Sequence, residues 1–217
     1  MQILKEDFAG FDAQLIIMDV VPWMLPYYEA SGIQFEIEDN RDYMDYTFTP
    51  EQFLAGMDMQ DDRYRYNYFK RRFAYETEEI TPFHREEIRE FMEREWCGEK
   101  TCEECHCGCL LRVIDNLVPV FDKIRINGIL VRVEGKMAGL CIVSCRNGLG
   151  VYQYKNAVNR IKGINEYLLR ESFERYLQSA DTINYTEDMG VENLRYYKEH
   201  MAPAHTLLSK LTLTERG

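Results

Sequence analysis

Three groups of residues in this chain have the types and spacing for chemistry. The first is the adjacent pair Glu187–Asp188, at the C-terminal end of an apolar strand and just before a helix. Two neighbouring carboxylates repel each other, which raises one pKa and makes a general base. The competing reading has Asp188 capping the helix that starts at Val191, with Glu187 solvated. Tyr196 and Tyr197 follow on that helix. Tyr197 is a candidate site residue, although most of the chain's 15 tyrosines must simply pack. His200 and His205 flank the end of the helix and read as polar surface groups.

The second group is the turn Arg160-Ile161-Lys162-Gly163-Ile164-Asn165, which opens a long helix. Unpaired N–H groups and the positive dipole end of a helix favour a phosphate there. A glycine lets backbone approach the ligand closely. Arg160, Lys162, Gly163, Ile164 and Asn165 are therefore candidate donor-binding residues. Lys155 and Arg195 are candidate anion ligands, with surface salt bridges as the plain alternative.

The third group is cysteine. Five of the seven cysteines crowd into Cys97–Cys109, in the order Cys97, Cys102, Cys105, Cys107 and Cys109, with His106 among them. In a reducing compartment this pattern speaks for metal or free thiols rather than a disulfide framework. A C-x2-C pair places two thiolates on one Zn²⁺. Cys102, Cys105, Cys107 and Cys109 are the candidate ligands. Cys141 and Cys145 either complete such a set or are small core residues. The spacing fits no iron–sulfur pattern, and no Gly-x-Ser-x-Gly serine-hydrolase motif occurs.

The elements that must carry these groups follow from periodicity. Leu15–Val21 reads as a buried strand and Pro22–Ala30 as a helix closed by Ser31-Gly32. Ile33–Glu38 alternates as a half-buried strand, and Asp42–Phe48 is extended. Thr49-Pro50-Glu51-Gln52 has the residues of a helix start. Residues 56–72 are charged, rich in tyrosine and without an apolar period, so they read as a connection; Lys70-Arg71-Arg72 reads as a solvated face. Phe73–Ile80 is a strand. Thr81-Pro82 then starts a helix with Ile88, Phe91, Met92 and Trp96 at helical spacing. A second apolar helix covers Leu110–Phe121. Ile124–Glu134 and Met137–Cys145 form a hairpin, and Val151–Val158 is a strand. A helix spans Lys162–Ser179, a strand Thr182–Tyr185, a helix Val191–Met201 and a last strand Thr206–Leu213. From residue 73 the order β-α-α-β-β-β-α-β-α-β is that of an α/β (α+β) unit with a mainly antiparallel central sheet.

Composition narrows the function classes. The chain has 217 residues, a net charge of −11 and 13% aromatic residues, which excludes a disordered chain. Residues 1–100 hold 23 acids and 11 bases; residues 101–217 hold 14 and 15. General nucleic-acid binding is not expected from such a balance, and an anionic ligand is better placed in the second half. Asp19 interrupts the most apolar N-terminal stretch, so neither a spanning helix nor a signal peptide is expected, and the cytoplasm is the default compartment.

The element order and the Arg160–Asn165 turn resemble the Gcn5-related N-acetyltransferase (GNAT) superfamily, whose pyrophosphate turn is Arg/Gln-x-x-Gly-x-Gly/Ala. Asn165 stands at the last position of that pattern. A more specific resemblance, over about residues 15–213, is to the C-terminal domain family of phosphatidylglycerol lysyltransferases. It is carried by Asp42-Tyr43-Met44-Asp45-Tyr46-Thr47-Phe48, by Tyr154-Lys155-Asn156-Ala157 with Lys162-Gly163, and by Ile183–Arg195, which resembles Asn-x-x-Glu-Asp-x-Gly-x-x-x-Leu-Arg. This resemblance adds Asn184 to the binding set.

The family implies two GNAT-like lobes. Residues 73–217 are expected to form a complete second lobe with the Cys-rich insertion at 97–109, and residues 1–72 a partial first lobe and connection. The opening ~90 residues of a typical member, by ordinary domain size, have no counterpart. The family's basic stretch reads here as Met57-Asp58-Met59-Gln60-Asp61-Asp62. The resemblance implies an acyl- or aminoacyl-transferase acting on an amine or hydroxyl, with acyl-CoA or aminoacyl-tRNA as donor. The departures motivate an alternative, a non-catalytic ligand- or partner-binding module. An open sheet edge would make a homodimer.

Overall fold

A computed structural model describes residues 16–32, 34–39, 41–97, 110–201 and 206–215. The chain divides into two units: residues 1–47, 185–200 and 205–217 form one, and residues 48–184 with 201–204 the other.

The larger unit is built on strand β6 (Lys136–Arg146), whose residues Met137–Val143 are buried without alternation. A strand so apolar must be covered on both faces. β6 pairs antiparallel with β5 (Ile126–Val133) and β7 (Leu149–Ala157), and β5 pairs with β4 (Tyr75–Glu79). The β6–β7 turn is Asn147-Gly148, both at positive φ (50° and 78°), the conformation that an Asn-Gly hairpin favours. β8 (Thr182–Asn184) joins β7 in parallel, so the sheet is mixed and mainly antiparallel. Helix α2 (Pro50–Met57) begins with the capping box that Thr49 and Gln52 announce. Helix α4 (Arg85–Met92) buries Ile88, Phe91 and Met92 as its period requires. Helix α5 covers Leu110–Leu117, and α6 (Ile164–Ser172) buries Ile164, Leu168 and Leu169 before a π-helical turn at Phe173–Leu177.

Residues 56–72 depart from expectation. In place of a connection they complete α2 and form helix α3 (Gln60–Arg72). Only Phe69 is buried on α3. Its packing runs through rings instead: Tyr66 stacks on Tyr167 at 5.9 Å, and Phe69 meets Tyr75 and Tyr167 at 5.0 and 4.9 Å. Asp61 and Asp62 stand in its first turn and Lys70, Arg71 and Arg72 in its last, which suits the helix dipole.

The smaller unit has an antiparallel sheet in the order β1 (Ile16–Val20), β10 (Leu211–Glu215), β2 (Phe35–Asp39). Val20, Leu211 and Leu213 form its core with Leu25 and Tyr28 of helix α1 (Leu25–Glu29) and with Phe35. β1 is only half-buried: Ile16 and Met18 are exposed. β3 (Asp45–Phe48) pairs through Asp45–Thr47 with β9 (Thr206–Leu208). The single expected strand Thr206–Leu213 is thus two strands in two sheets, broken at Ser209-Lys210. Helix α7 (Glu192–Met201) completes this unit.

Candidate functional site

The smaller unit draws residues 42–47 of the first block and residues 185–195 of the second together around one buried carboxylate. The Tyr46 N–H donates to the Thr186 carbonyl at 3.1 Å, and the Tyr185 N–H to the Tyr46 carbonyl at 2.8 Å. Asp188 follows with its side chain fully buried. Its Oδ2 accepts from Tyr46 Oη at 2.7 Å, Arg195 Nε at 2.9 Å and Arg41 at 3.1 Å. Its Oδ1 accepts from a second Arg195 nitrogen at 2.7 Å and from the Gly190 N–H at 2.9 Å. Burial pushes the carboxyl up, but the bonds from Arg195, Tyr46 and Gly190 outweigh it and hold Asp188 well below the usual carboxylate range. A group so held is an acceptor at neutral pH, not a proton shuttle. Nor does its side chain cap α7; it closes the Asp188–Gly190 turn.

Arg195, read from sequence as an anion ligand, also donates to Asp42. Its guanidinium thus ties the two sequence blocks to each other. Arg41 donates to Tyr46 Oη at 2.6 Å and to Glu199 at 3.0 Å as well as to Asp188. Sequence reasoning passed over Arg41 because its partners lie up to 158 residues away.

Glu187 differs from its neighbour. Its side chain is 27% exposed, with Lys210 Nζ at 3.5 Å; the same ammonium lies 2.8 Å from Asp45. The loop around it is contorted: Thr186, Met189 and Gly190 have φ of 57°, 52° and 73°. A β-branched residue at positive φ is a genuine outlier. Tyr197 lies half-buried on α7, and Tyr196 is exposed. The side chains of His200 and His205 lie outside the described residues.

In the larger unit the expected turn is present, exposed at Asn159, Arg160 and Lys162 and buried at Gly163 and Ile164. Gly163 sits at φ 88° and caps α6. A Cβ there would lie 2.1 Å from the Arg65 carbonyl oxygen of α3, so the glycine admits helix α3 itself. Lys162 Nζ stands over the rings of Tyr64 and Tyr68 at 4.9 and 5.2 Å. Arg65 pairs with Glu166 at 3.2 Å across the same contact. Ile164 is fully buried. Lys155 donates to Asn165 Oδ1 at 3.0 Å; burial lowers its pKa, while burial and then the charge of Glu166 raise that of Asp62. Arg160 and Lys162 are both exposed; the Arg160 side chain is 78% exposed, with Glu95 at 3.9 Å. Asn184 is buried at the end of β8.

Cys102, Cys105, Cys107 and Cys109 lie outside the described residues. Cys141 is fully buried, and burial pushes its thiol up to about 11, as for a small core residue. Among the described residues no group of three or more His, Cys, Asp or Glu is placed to hold a metal ion. Among them, too, no helix is long and apolar enough to cross a membrane.

This is a GNAT-like fold. A tandem GNAT protein from the clavulanic acid biosynthesis pathway superposes with a TM-score of 0.53 and 10% identity, over 93% of this chain and 62% of that one. Residues 1–209 match the family model "Phosphatidylglycerol lysyltransferase, C-terminal", and the chain belongs to that family. Two solved structures are more similar. A conserved protein of unknown function from Bacteroides thetaiotaomicron has a TM-score of 0.80 and 24% identity, over 99% of this chain and 74% of that one. L-PGS from Bacillus licheniformis has 0.67 and 14%, over 99% and 72%. No curated protein sequence matches the chain.

Proposed function

We propose that this chain transfers an acyl or aminoacyl group to an amine or hydroxyl acceptor, with Glu187 as general base. One observation carries the reading: the backbone around Glu187 is held in an unfavourable conformation by groups that are themselves locked. Non-glycine residues at positive φ cost of order 1–3 kcal/mol each and persist where surrounding structure over-determines them, often at active sites. Here Thr186 and Met189 flank Glu187–Asp188 at φ of 57° and 52°. Asp188 serves as the anchor, saturated by its donors. Glu187 is the carboxylate of the pair that solvent reaches, and it takes the acceptor's proton as nitrogen or oxygen attacks the donor carbonyl. The thioester C–S or aminoacyl-ester C–O bond breaks, and the departing CoA thiolate or ribose oxygen takes up the proton that Glu187 removed from the acceptor. Within the larger unit, the exposed Arg160 is by itself a candidate ligand for an anion such as a phosphate.

The test is a transfer assay with acetyl-CoA, longer acyl-CoAs and an aminoacyl-tRNA, each against amine and hydroxyl acceptors. Glu187→Gln is expected to lower kcat by about 10²–10⁴-fold, the usual contribution of a positioned base, with folding unchanged. An unchanged rate in that variant would remove Glu187 from the chemistry. A second reading, a non-catalytic binding module, is favoured by α3 packed on Gly163, which closes the turn a donor pyrophosphate would use. Calorimetry and the transfer assay together separate the two: on this second reading wild type neither binds a donor at that turn nor turns one over.

A further inference from the structure

Helix α7 carries a lysine whose charge is buried. Lys198 is 3% exposed. Its ammonium donates to three successive backbone carbonyls, those of Tyr185 at 2.5 Å, Thr186 at 3.2 Å and Glu187 at 2.8 Å. The Thr186 hydroxyl lies 3.5 Å away. The same charge stands 4.6 Å from the Tyr185 ring centroid and 5.7 Å from that of Tyr46. Converging carbonyls are the oxygen donors that a bare monovalent cation takes when it leaves water.

Three consecutive carbonyls do not converge in extended or helical backbone. In a strand they alternate from side to side, and in a helix they point along the axis. Thr186 at φ 57° supplies the kink that aims them at one point. A β-branched residue does not adopt that conformation unaided, and three carbonyls aimed together repel one another until a positive charge sits among them. The conformation of residues 185–187 and the charge of Lys198 therefore require each other.

We infer that Lys198 is a positioning residue: a cation tethered to α7 that holds residues 185–187 in the one shape that presents Glu187. It touches the Glu187 carbonyl, not the carboxylate. The inference rests on the reading of Glu187 as the base, but its structural half does not.

The test removes the tethered cation and returns a free one. Lys198→Ala leaves the carbonyl cage and a channel the width of the lost stem. The variant is melted, and assayed for transfer, in ethylammonium chloride and in tetramethylammonium chloride at equal concentration. Ethylammonium can donate to the carbonyls; tetramethylammonium has no N–H. The melting temperature is expected to rise in ethylammonium and not in tetramethylammonium. In the transfer assay kcat falls by ~10²-fold, as a misplaced catalytic group dictates, KM for the donor stays within about twofold, and ethylammonium restores part of kcat. If the variant does not fold unaided, refolding in the two salts is the readout: recovery in ethylammonium alone supports the inference, and failure in both overturns it. Equal melting temperatures in the two salts overturn it as well. If wild type transfers from no donor, the reading of Glu187 falls, and the melting comparison still decides whether Lys198 holds the loop.

Discussion

Two loops in this chain end in a glycine at positive φ and lead into a helix, yet they use their charges in opposite ways. Before α7, Asp42, Asp188, Arg41 and Arg195 answer one another inside the smaller unit. Before α6, Lys162 lies against tyrosine rings and Arg160 reaches into solvent. The first loop carries the segment most like the family's signature, and most of that signature is architecture. The second carries the turn most like a phosphate site, and its glycine admits a helix. A signature shows where a fold is constrained; the partners of each charge show whether the constraint is structural or chemical. By that criterion Glu187 and Arg160 are the groups we propose for chemistry, while Asp188 and Arg195 have partners that hold the loop.

The largest expected effect breaks the first loop. Asp188→Ala leaves Arg41 and Arg195 facing a buried gap. Removing one member of a buried ion pair costs about 3–5 kcal/mol, and the lower end applies because the two arginine side chains are 33% and 31% exposed. Urea denaturation should show a loss of about 3 kcal/mol. A loss below about 1 kcal/mol would mean that water replaces the carboxylate without difficulty.

The second loop gives a smaller loss by a different route. Gly163→Ala forces a Cβ against the Arg65 carbonyl and keeps φ at 88°. About 1–3 kcal/mol follows from the backbone conformation alone, and α3 should be the element that loosens first in hydrogen exchange. Were the glycine there for a ligand instead, the loss would stop at that backbone strain, α3 would keep its protection, and donor binding would be lost. Arg160→Ala should be the smallest change, within about 0.5 kcal/mol of wild type by denaturation. The same variant should weaken donor binding in calorimetry. An unaltered affinity would return the larger unit to a purely structural role.

What the sequence disclosed follows from where the information lies. α4 and the β5–β6 hairpin were legible because their apolar periods and turn residues are local. α3 was not, because its packing surface is tyrosine, which a hydrophobic period does not register. Its reversal from acidic to basic residues along the helix was the available signal. The last strand was read as one because Ser209-Lys210 looks like a polar pair within it. Lys210 in fact turns toward Asp45 and Glu187, partners remote in sequence. The candidate site was half visible. Glu187, Asp188 and Arg195 stood out by type and spacing, but the proposed division into base and anchor depends on Arg41, Tyr46 and Lys198. A lysine in a polar helix reads as surface, and nothing local marks Lys198 as buried.

The claim that the two family blocks form one lock, with Asp188 as its anchor, meets its most direct test in a double-mutant cycle. Tyr46→Phe and Asp188→Asn each remove one side of the 2.7 Å bond between the blocks with little change of shape. A hydrogen bond to a charged group contributes about 1.5–3 kcal/mol, so the two substitutions should couple by an amount in that range in equilibrium denaturation. Losses that add to within about 0.5 kcal/mol would contradict the account, because they would show that the phenol and the carboxylate act independently.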